Sequence, residues 1–176
     1  PEAQVRQAID QLFEALRKEG LIPDGAGAPD GQGAQAQPQA DPVYAEAEEA
    51  LQKGDLDGAK AAFQRILDKS PQDADAKRGL ALVELSLRVR SLDARQVIKE
   101  AEERPTDVRA QTQAADVELV SGRIEDAFDR LVATVRRTSG DDRDTARKHL
   151  LTLFEVMPSD DPRVGKARRG LQSALF

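Results

Sequence analysis

The chain has 176 residues, of which 39% are hydrophobic, 3% aromatic and 33% charged, and its formal net charge is −6. This acidity argues against general nucleic-acid binding, which depends on an excess of lysine and arginine. The chain has no cysteine, which excludes a disulfide, a thiol nucleophile and a zinc–thiolate site, and no apolar run approaches the length of a membrane span. Helix-forming Ala, Glu, Leu, Arg, Gln and Lys dominate, which indicates an all-α protein.

The first predicted element is an amphipathic helix over residues 2–19. Its apolar residues recur at helical spacing on one face: Val5, Ile9, Leu12, Phe13 and Leu16. One helix cannot bury such a face alone, so we expect residues 1–22 to be a detached helix that ends a domain lying upstream. Residues 23–42 contain Pro, Gly, Ala, Gln and Asp but no large apolar residue, a composition typical of a flexible linker.

A period of 34 residues runs through positions 43–139. Three series carry it: small Ala47, Ala81 and Ala115; large apolar Phe63, Val97 and Leu131; and Pro71, Pro105 and Ser139. Small residues let two helices approach closely, large ones fill the remaining space, and proline ends a helix. Gly54 and Gly122, two periods apart, suit the turn inside a hairpin. The pattern predicts three antiparallel helical hairpins.

These hairpins resemble the tetratricopeptide repeat (TPR), most clearly in YAEAEEALQKGDLDGAKAAFQRILDKSP, residues 44–71. The second repeat departs from the pattern, because it lacks the turn glycine and its second helix is shifted by one residue. The resemblance implies that residues 43–139 stack as a short superhelix. Two further helices, at 142–156 and 161–175, leave the register and are predicted to form a capping pair within residues 140–176.

Little in the sequence could carry chemistry. His149 is the only histidine, and without a second metal-ligating residue nearby it is predicted to be a surface or boundary residue. Neighbouring acidic residues such as Asp141 and Asp142 point apart on a helix and are better explained as solvated faces and helix N-caps. We therefore expect no catalytic residue, cofactor or metal in this fragment, and we do not expect it to be an enzyme.

The TPR resemblance implies a concave groove lined by the first helix of each repeat. Carried over position by position, the groove would expose Tyr44, Glu48, Leu51, Arg78, Leu82, Leu85, Arg109, Thr112, Asp116 and Leu119. Such a mixture of apolar and charged groups suits a bound peptide. In TPR co-chaperones that clamp a C-terminal carboxylate, the resemblance places the clamp at Tyr44, Glu48, Gly79, Arg109 and Gln113. A clamp is not expected here, because only Arg109 among them suits an anion and Glu48 would repel one. Packing between repeats is the alternative role for Leu82, Leu85 and Leu119.

The last helix carries the most one-sided charge. From residue 163 onward its charged side chains are all basic, and apolar residues follow: Arg163, Lys166, Arg168 and Arg169, then Leu171, Leu175 and Phe176. One interpretation is a solvated basic face favoured by the helix dipole. The other is a docking helix for an acidic, partly apolar partner surface.

The order of parts resembles the CnoX/YbbN class of bacterial thioredoxin-like co-chaperones. The segments that carry the resemblance are PEAQVRQAIDQLF at the start and LLTLFEVMPSDDPRVGKARRGLQSALF at the end. It implies that residues 2–19 end a thioredoxin domain, and that the protein is a cytoplasmic holdase passing client proteins to the chaperonin GroEL or to DnaK. The last helix would be a chaperonin contact. We expect a monomer that binds proteins and neither nucleic acid nor membrane.

Two other functions stay open on the sequence. The repeats could be an adaptor of a secretion, envelope or regulatory assembly unrelated to folding. They could also position a catalytic domain encoded elsewhere in the same protein.

Overall fold

The computed structural model describes residues 42–175. The helix predicted at 2–19, the linker up to residue 41 and Phe176 lie outside the described residues. Within them the structure contains helices and no strand: α1 Pro42–Gln52, α2 Leu56–Lys69, α3 Ala74–Val89, α4 Ala94–Glu103, α5 Val108–Val120, α6 Ile124–Arg137, α7 Gly140–Val156 and α8 Pro162–Leu175. The all-α prediction is confirmed, and the last two helices begin within two residues of their predicted starts.

The turns inside the first and third hairpins follow from glycine. Gly54 and Gly122 have φ values of 71° and 77°, in the left-handed region that side chains disfavour. The N–H of Asp55 donates to the carbonyl of Ala50 at 2.8 Å, and the N–H of Arg123 donates to Glu118 at 2.9 Å. This pattern closes a helix with a left-handed residue and satisfies carbonyls that would otherwise lack a donor. Both turn assignments are therefore confirmed.

Aspartates are the N-cap residues of at least four of the eight helices in the described part of the chain. Their side chains accept hydrogen bonds from backbone N–H groups of the following turn: Asp55 from Gly58, Asp73 from Ala76, Asp93 from Gln96 and Asp107 from Ala110. Each bond satisfies a donor that the helix itself leaves unpaired. These four aspartates therefore serve to start helices.

The small and large members of the 34-residue period lie where the pattern predicts them. All six are buried: Ala47, Ala81, Ala115, Phe63, Val97 and Leu131. Buried residues form two clusters. A small one holds α1, α2 and one face of α3, with Ala76 and Val83, and a larger one begins on the other face of α3, with Leu82 and Leu85. Helix α3 is thus the element shared by both halves.

The second hairpin departs from the others, as its sequence suggests. Helix α4 packs chiefly on α5 and contacts α3 little, whereas α1 packs on α2 and α5 on α6. A buried amide adds to the contact between α4 and α5, because Gln111 Nε2 donates to the carbonyls of Ala101 at 2.6 Å and Arg104 at 3.1 Å. These bonds hold the end of α4 against α5.

Helices α7 and α8 do more than close the end of the stack. Both pack on α6, and α7 also packs across α3 and α5. The apolar face of α7 belongs to the larger core through Ala146, Leu150 and Leu153. No helix in the described part of the chain is long and apolar enough to cross a membrane.

The contact between α2 and α3 has a direct test at Gly79. A Cβ atom there would overlap the ring of Phe63, while a Cβ at Gly165 of α8 would meet only the Arg169 guanidinium at 3.8 Å. We predict that Gly79→Ala lowers the free energy of unfolding by about 1–3 kcal/mol, because the ring and backbone must shift. Gly165→Ala, the control, should be neutral or stabilising by about 0.5 kcal/mol. Urea denaturation measures both, and equal effects would show that α2 and α3 do not pack as described.

Candidate functional site

The concave face predicted to bind a peptide is closed by the chain itself. Leu82, Leu85 and Leu119 are buried in the larger core together with residues of α7. The prediction that they line an open groove is wrong, because α7 lies across α3 and α5 and covers that face. All three leucines are core residues instead, in a cluster that also contains Leu150 and Leu153 of α7.

Asp116 lies in the same closed face and is only 2% exposed, so its predicted exposure is also wrong. Its carboxylate accepts from Arg88 of α3, through Nε at 2.7 Å and Nη2 at 3.1 Å. His149 of α7 places Nε2 2.8 Å from Oδ1 of the same carboxylate. Since an ionised carboxylate can only accept, Nε2 is the donor. One buried acid therefore joins three helices.

The role of His149 was missed at the level of sequence. Its side chain is 17% exposed, as expected of a boundary residue, but its partner lies 33 residues away in the chain. Arg88 is the residue in the sequence that could have indicated this contact, because it stands at the repeat position that holds the turn glycine in the other two repeats. A charged residue in a slot that elsewhere needs glycine indicates a different local structure, and here α3 continues through it.

A second buried network lies between α5 and α6. Arg130 donates to Glu118 through Nε at 2.8 Å and Nη2 at 2.6 Å, and through Nη1 to the Gln111 side chain at 3.0 Å. The hydrogen bonds to Glu118 raise the pKa of Arg130 above its usual value. No buried side-chain nitrogen or oxygen in residues 42–175 lacks a partner. The groups of this network join α5 to α6.

An open cleft borders this second network. Its volume is about 430 Å³, and its lining is mostly polar: Gln111, Glu118, Asp126, Asp129, Arg130, Ala133 and Arg137. In the part of the chain that is described, no group of three or more His, Cys, Asp or Glu residues could hold a metal ion.

The remaining groove residues are dispersed. Tyr44 is half-buried, and its hydroxyl donates to Asp73 Oδ1 at 2.7 Å. Burial, together with that bond, raises the pKa of Tyr44 above its usual range. Glu48 is half-buried, Arg78 lies 3.4 Å from Asp75, and Arg109 is exposed. Once α7 covers the centre of the face, these residues do not form one continuous groove.

The predicted residues of α8 divide between the fold and solvent. Arg163 Nη2 lies 2.6 Å from Asp161 Oδ2, and this hydrogen bond lowers the pKa of Asp161. Leu171 is buried and Leu175 packs against the core, so the predicted apolar docking surface is wrong for Leu171. Phe176 lies outside the described residues. Three cations remain accessible on α8: Lys166, Arg168 and Arg169.

Those three cations differ in their surroundings. Lys166 Nζ is 4.0 Å from Asp129 Oδ2, at the limit of an ion pair. The guanidinium of Arg168 lies over the ring of Phe154, 5.7 Å from its centre. That distance is typical of a cation–π contact, so Arg168 is held against α7. The exposed basic face predicted for α8 therefore consists of Lys166, Arg168 and Arg169.

Comparisons with known proteins agree with this architecture. Two family models described as tetratricopeptide repeat match, one over residues 87–176 and one over residues 44–108. Uncharacterized proteins from two strains of Mycobacterium tuberculosis and from Mycobacterium bovis are 36% identical over 138 residues. The match covers 78% of this chain and 45% of each relative, so the chain spans less than half the length of these relatives. No solved structure shows a significant match.

The buried carboxylate yields a stability prediction. Asp116→Asn removes the negative charge to which Arg88 and His149 both bind, and it places an amide N–H₂ group where both side chains need an acceptor. We therefore expect the free energy of unfolding to fall by about 2 kcal/mol. Asp129→Asn is the matched control, because Asp129 is 67% exposed and 4.0 Å from its cation. It should change stability by less than about 0.5 kcal/mol. Equal melting temperatures for the two variants would contradict a structural role for Asp116.

Proposed function

The chain belongs to the tetratricopeptide repeat family, and on that premise we propose that residues 42–175 are a protein-binding scaffold without catalytic activity of their own. The observation that carries the proposal is the stack of helical hairpins, in which the buried polar and charged side chains of residues 42–175 all have partners within the fold. Repeat stacks present extended surfaces for partner proteins. A chain without cysteine also has no thiol to exchange in a redox step.

The surface that best suits a partner is the outer face of α8. The concave face is filled by α7, so a peptide could enter it only by displacing Leu150, Leu153 and their neighbours from the core. Burial of each such leucine contributes about 1.5–3 kcal/mol, which makes displacement costly. Lys166, Arg168 and Arg169 are exposed, so a partner can reach them without displacing core residues.

The finer proposal is that the protein is a thioredoxin-like co-chaperone of the CnoX/YbbN class that acts in the cytoplasm. It is supported by the resemblance of the first and last segments and by the basic face of α8. The curated relatives extend well beyond the matched region, which leaves room in them for a further domain. In this proposal α8 docks on the chaperonin GroEL or on DnaK.

Docking on a chaperone is better supported than the holding of unfolded clients. A client-holding surface needs a contiguous exposed apolar area. Among the large hydrophobic residues of 42–175, only Leu151 is exposed, at 39%. We therefore propose that these residues direct the protein to its partner.

A binding experiment with purified chaperones tests this function. We expect immobilised chain 1–176 to bind GroEL or DnaK, and Arg168→Glu to weaken that binding about tenfold, because it reverses a charge on the docking face. Arg95→Glu on α4 is the control, since that exposed arginine makes no ion pair. No binding of either chaperone by the wild-type chain would refute the co-chaperone proposal and favour an adaptor role in another assembly.

A further inference from the structure

Most lysines and arginines in residues 42–175 are engaged by carboxylates, carbonyls or an aromatic ring. A few side chains have no such partner: Lys69, Arg95, Arg109, Arg136, Arg137 and Arg169. Of these, Arg136 and Arg137 lie in the last turn of α6, and Arg169 lies on α8, which packs on α6. Unpaired guanidinium groups are thus concentrated on one pair of helices.

The contacts between α6 and α8 give the direction of the two helices. Lys166 meets Asp129, and one turn further along both helices a Cβ at Gly170 would meet Val132 at 3.5 Å. Residue numbers rise together, so the helices run parallel and end at the same side of the molecule. Another turn places Arg136 beside residues 173–174, on the same face of α6 as Asp129 and Val132. We name Arg136, Arg137 and Arg169 the basic ridge.

The helix dipole explains part of this charge. The C-terminal end of α6 carries partial negative charge that favours Arg136 and Arg137 in its last turn, whereas Arg169 lies before the last turn of α8. Yet none of the three side chains donates to a carbonyl at those ends, and all three are exposed. Their planar forks of N–H donors are therefore available to bind a carboxylate in two places at once.

Acidic residues limit the extent of the basic ridge. Asp129 lies two turns before Arg136, about 10 Å along α6 at 1.5 Å per residue, and Glu125 and Asp126 lie in the first turn. Arg137 also borders the cleft that contains Asp126, without an ion pair to it. A nucleic-acid backbone would continue from the ridge over these carboxylates and be repelled. A short acidic stretch of polypeptide would not.

We infer that the basic ridge binds a short acidic segment of a partner protein, whose Asp or Glu side chains pair with the free guanidinium groups. This inference deepens the proposed function, on which it rests for the docking role of α8, by naming the chemistry of the partner surface. It also adds α6 to that surface, through two arginines that the sequence pattern did not single out.

The test is titration of isotopically labelled chain 1–176 with a short polyglutamate peptide, followed by backbone amide chemical shifts. We expect shifts confined to the end of α6 and to α8, and binding that weakens as salt is raised. A double variant, Arg136→Glu with Arg169→Glu, should bind about tenfold more weakly or worse. The neutral pair, Arg136→Gln with Arg169→Gln, should lie between the wild type and the double variant.

The matched control is Lys69→Glu with Arg95→Glu, which makes the same change in net charge with two unpaired cations on α2 and α4. Equal loss of affinity in the control would overturn the inference, because binding would then follow net charge alone. The inference would also be overturned if the wild-type chain did not bind polyglutamate. The same holds if it bound a single-stranded oligonucleotide of the same length with equal affinity.

The outcome is distinguishable from that of the chaperone experiment. If the chain binds polyglutamate at the basic ridge but binds neither GroEL nor DnaK, the ridge is supported as a site for acidic segments and the co-chaperone role is refuted. If the double variant still binds the chaperone as tightly as the wild type, the basic ridge is not the partner contact, and the co-chaperone role is retained.

Discussion

The buried carboxylate of Asp116 is the contact on which the arrangement of this repeat stack depends. An ionised acid that is 2% exposed is tolerated only when its oxygens are satisfied, and here Arg88 and His149 supply the donors. Those donors come from α3 and α7, which contact each other as well as α5. The hydrogen bonds that offset the cost of burying the acid therefore also hold α7 across the concave face.

Closing that face changes which surfaces can meet a partner. In an open superhelix the first helices of the hairpins would present Leu82, Leu85 and Leu119 to a peptide, but α7 now uses these residues as core. A second network, centred on Arg130 and Glu118, joins α5 to α6 in the same way. The polar groups inside the molecule are thus committed to structure, and arginines that are unpaired within residues 42–175 lie exposed on α6 and α8.

Local features were predictable because they rest on short-range geometry. Alanines and large apolar residues 34 apart indicate hairpins, and Gly54 and Gly122 indicate their turns. The placement of α7 was not predictable from such patterns, because it depends on side chains 28 and 33 residues apart in the chain that act together only after folding. The basic character of α8 was visible in the sequence, whereas the division of its residues was not. Leu171 faces the core, Arg163 bonds to Asp161, and Arg169 has no partner among the described residues. These differences arise from the way α8 packs on its neighbours, which the sequence pattern does not specify.

The closed concave face can be tested most directly by thiol accessibility, because the natural chain has no cysteine. Leu85→Cys places one thiol on the covered face of α3, and Leu151→Cys places one on the exposed side of α7, where the leucine is 39% exposed. The account predicts that a thiol reagent labels the cysteine at 151 rapidly and the cysteine at 85 only when the protein unfolds. Labelling of both at similar rates in the folded protein, verified by circular dichroism, would show that the groove is open and contradict the account.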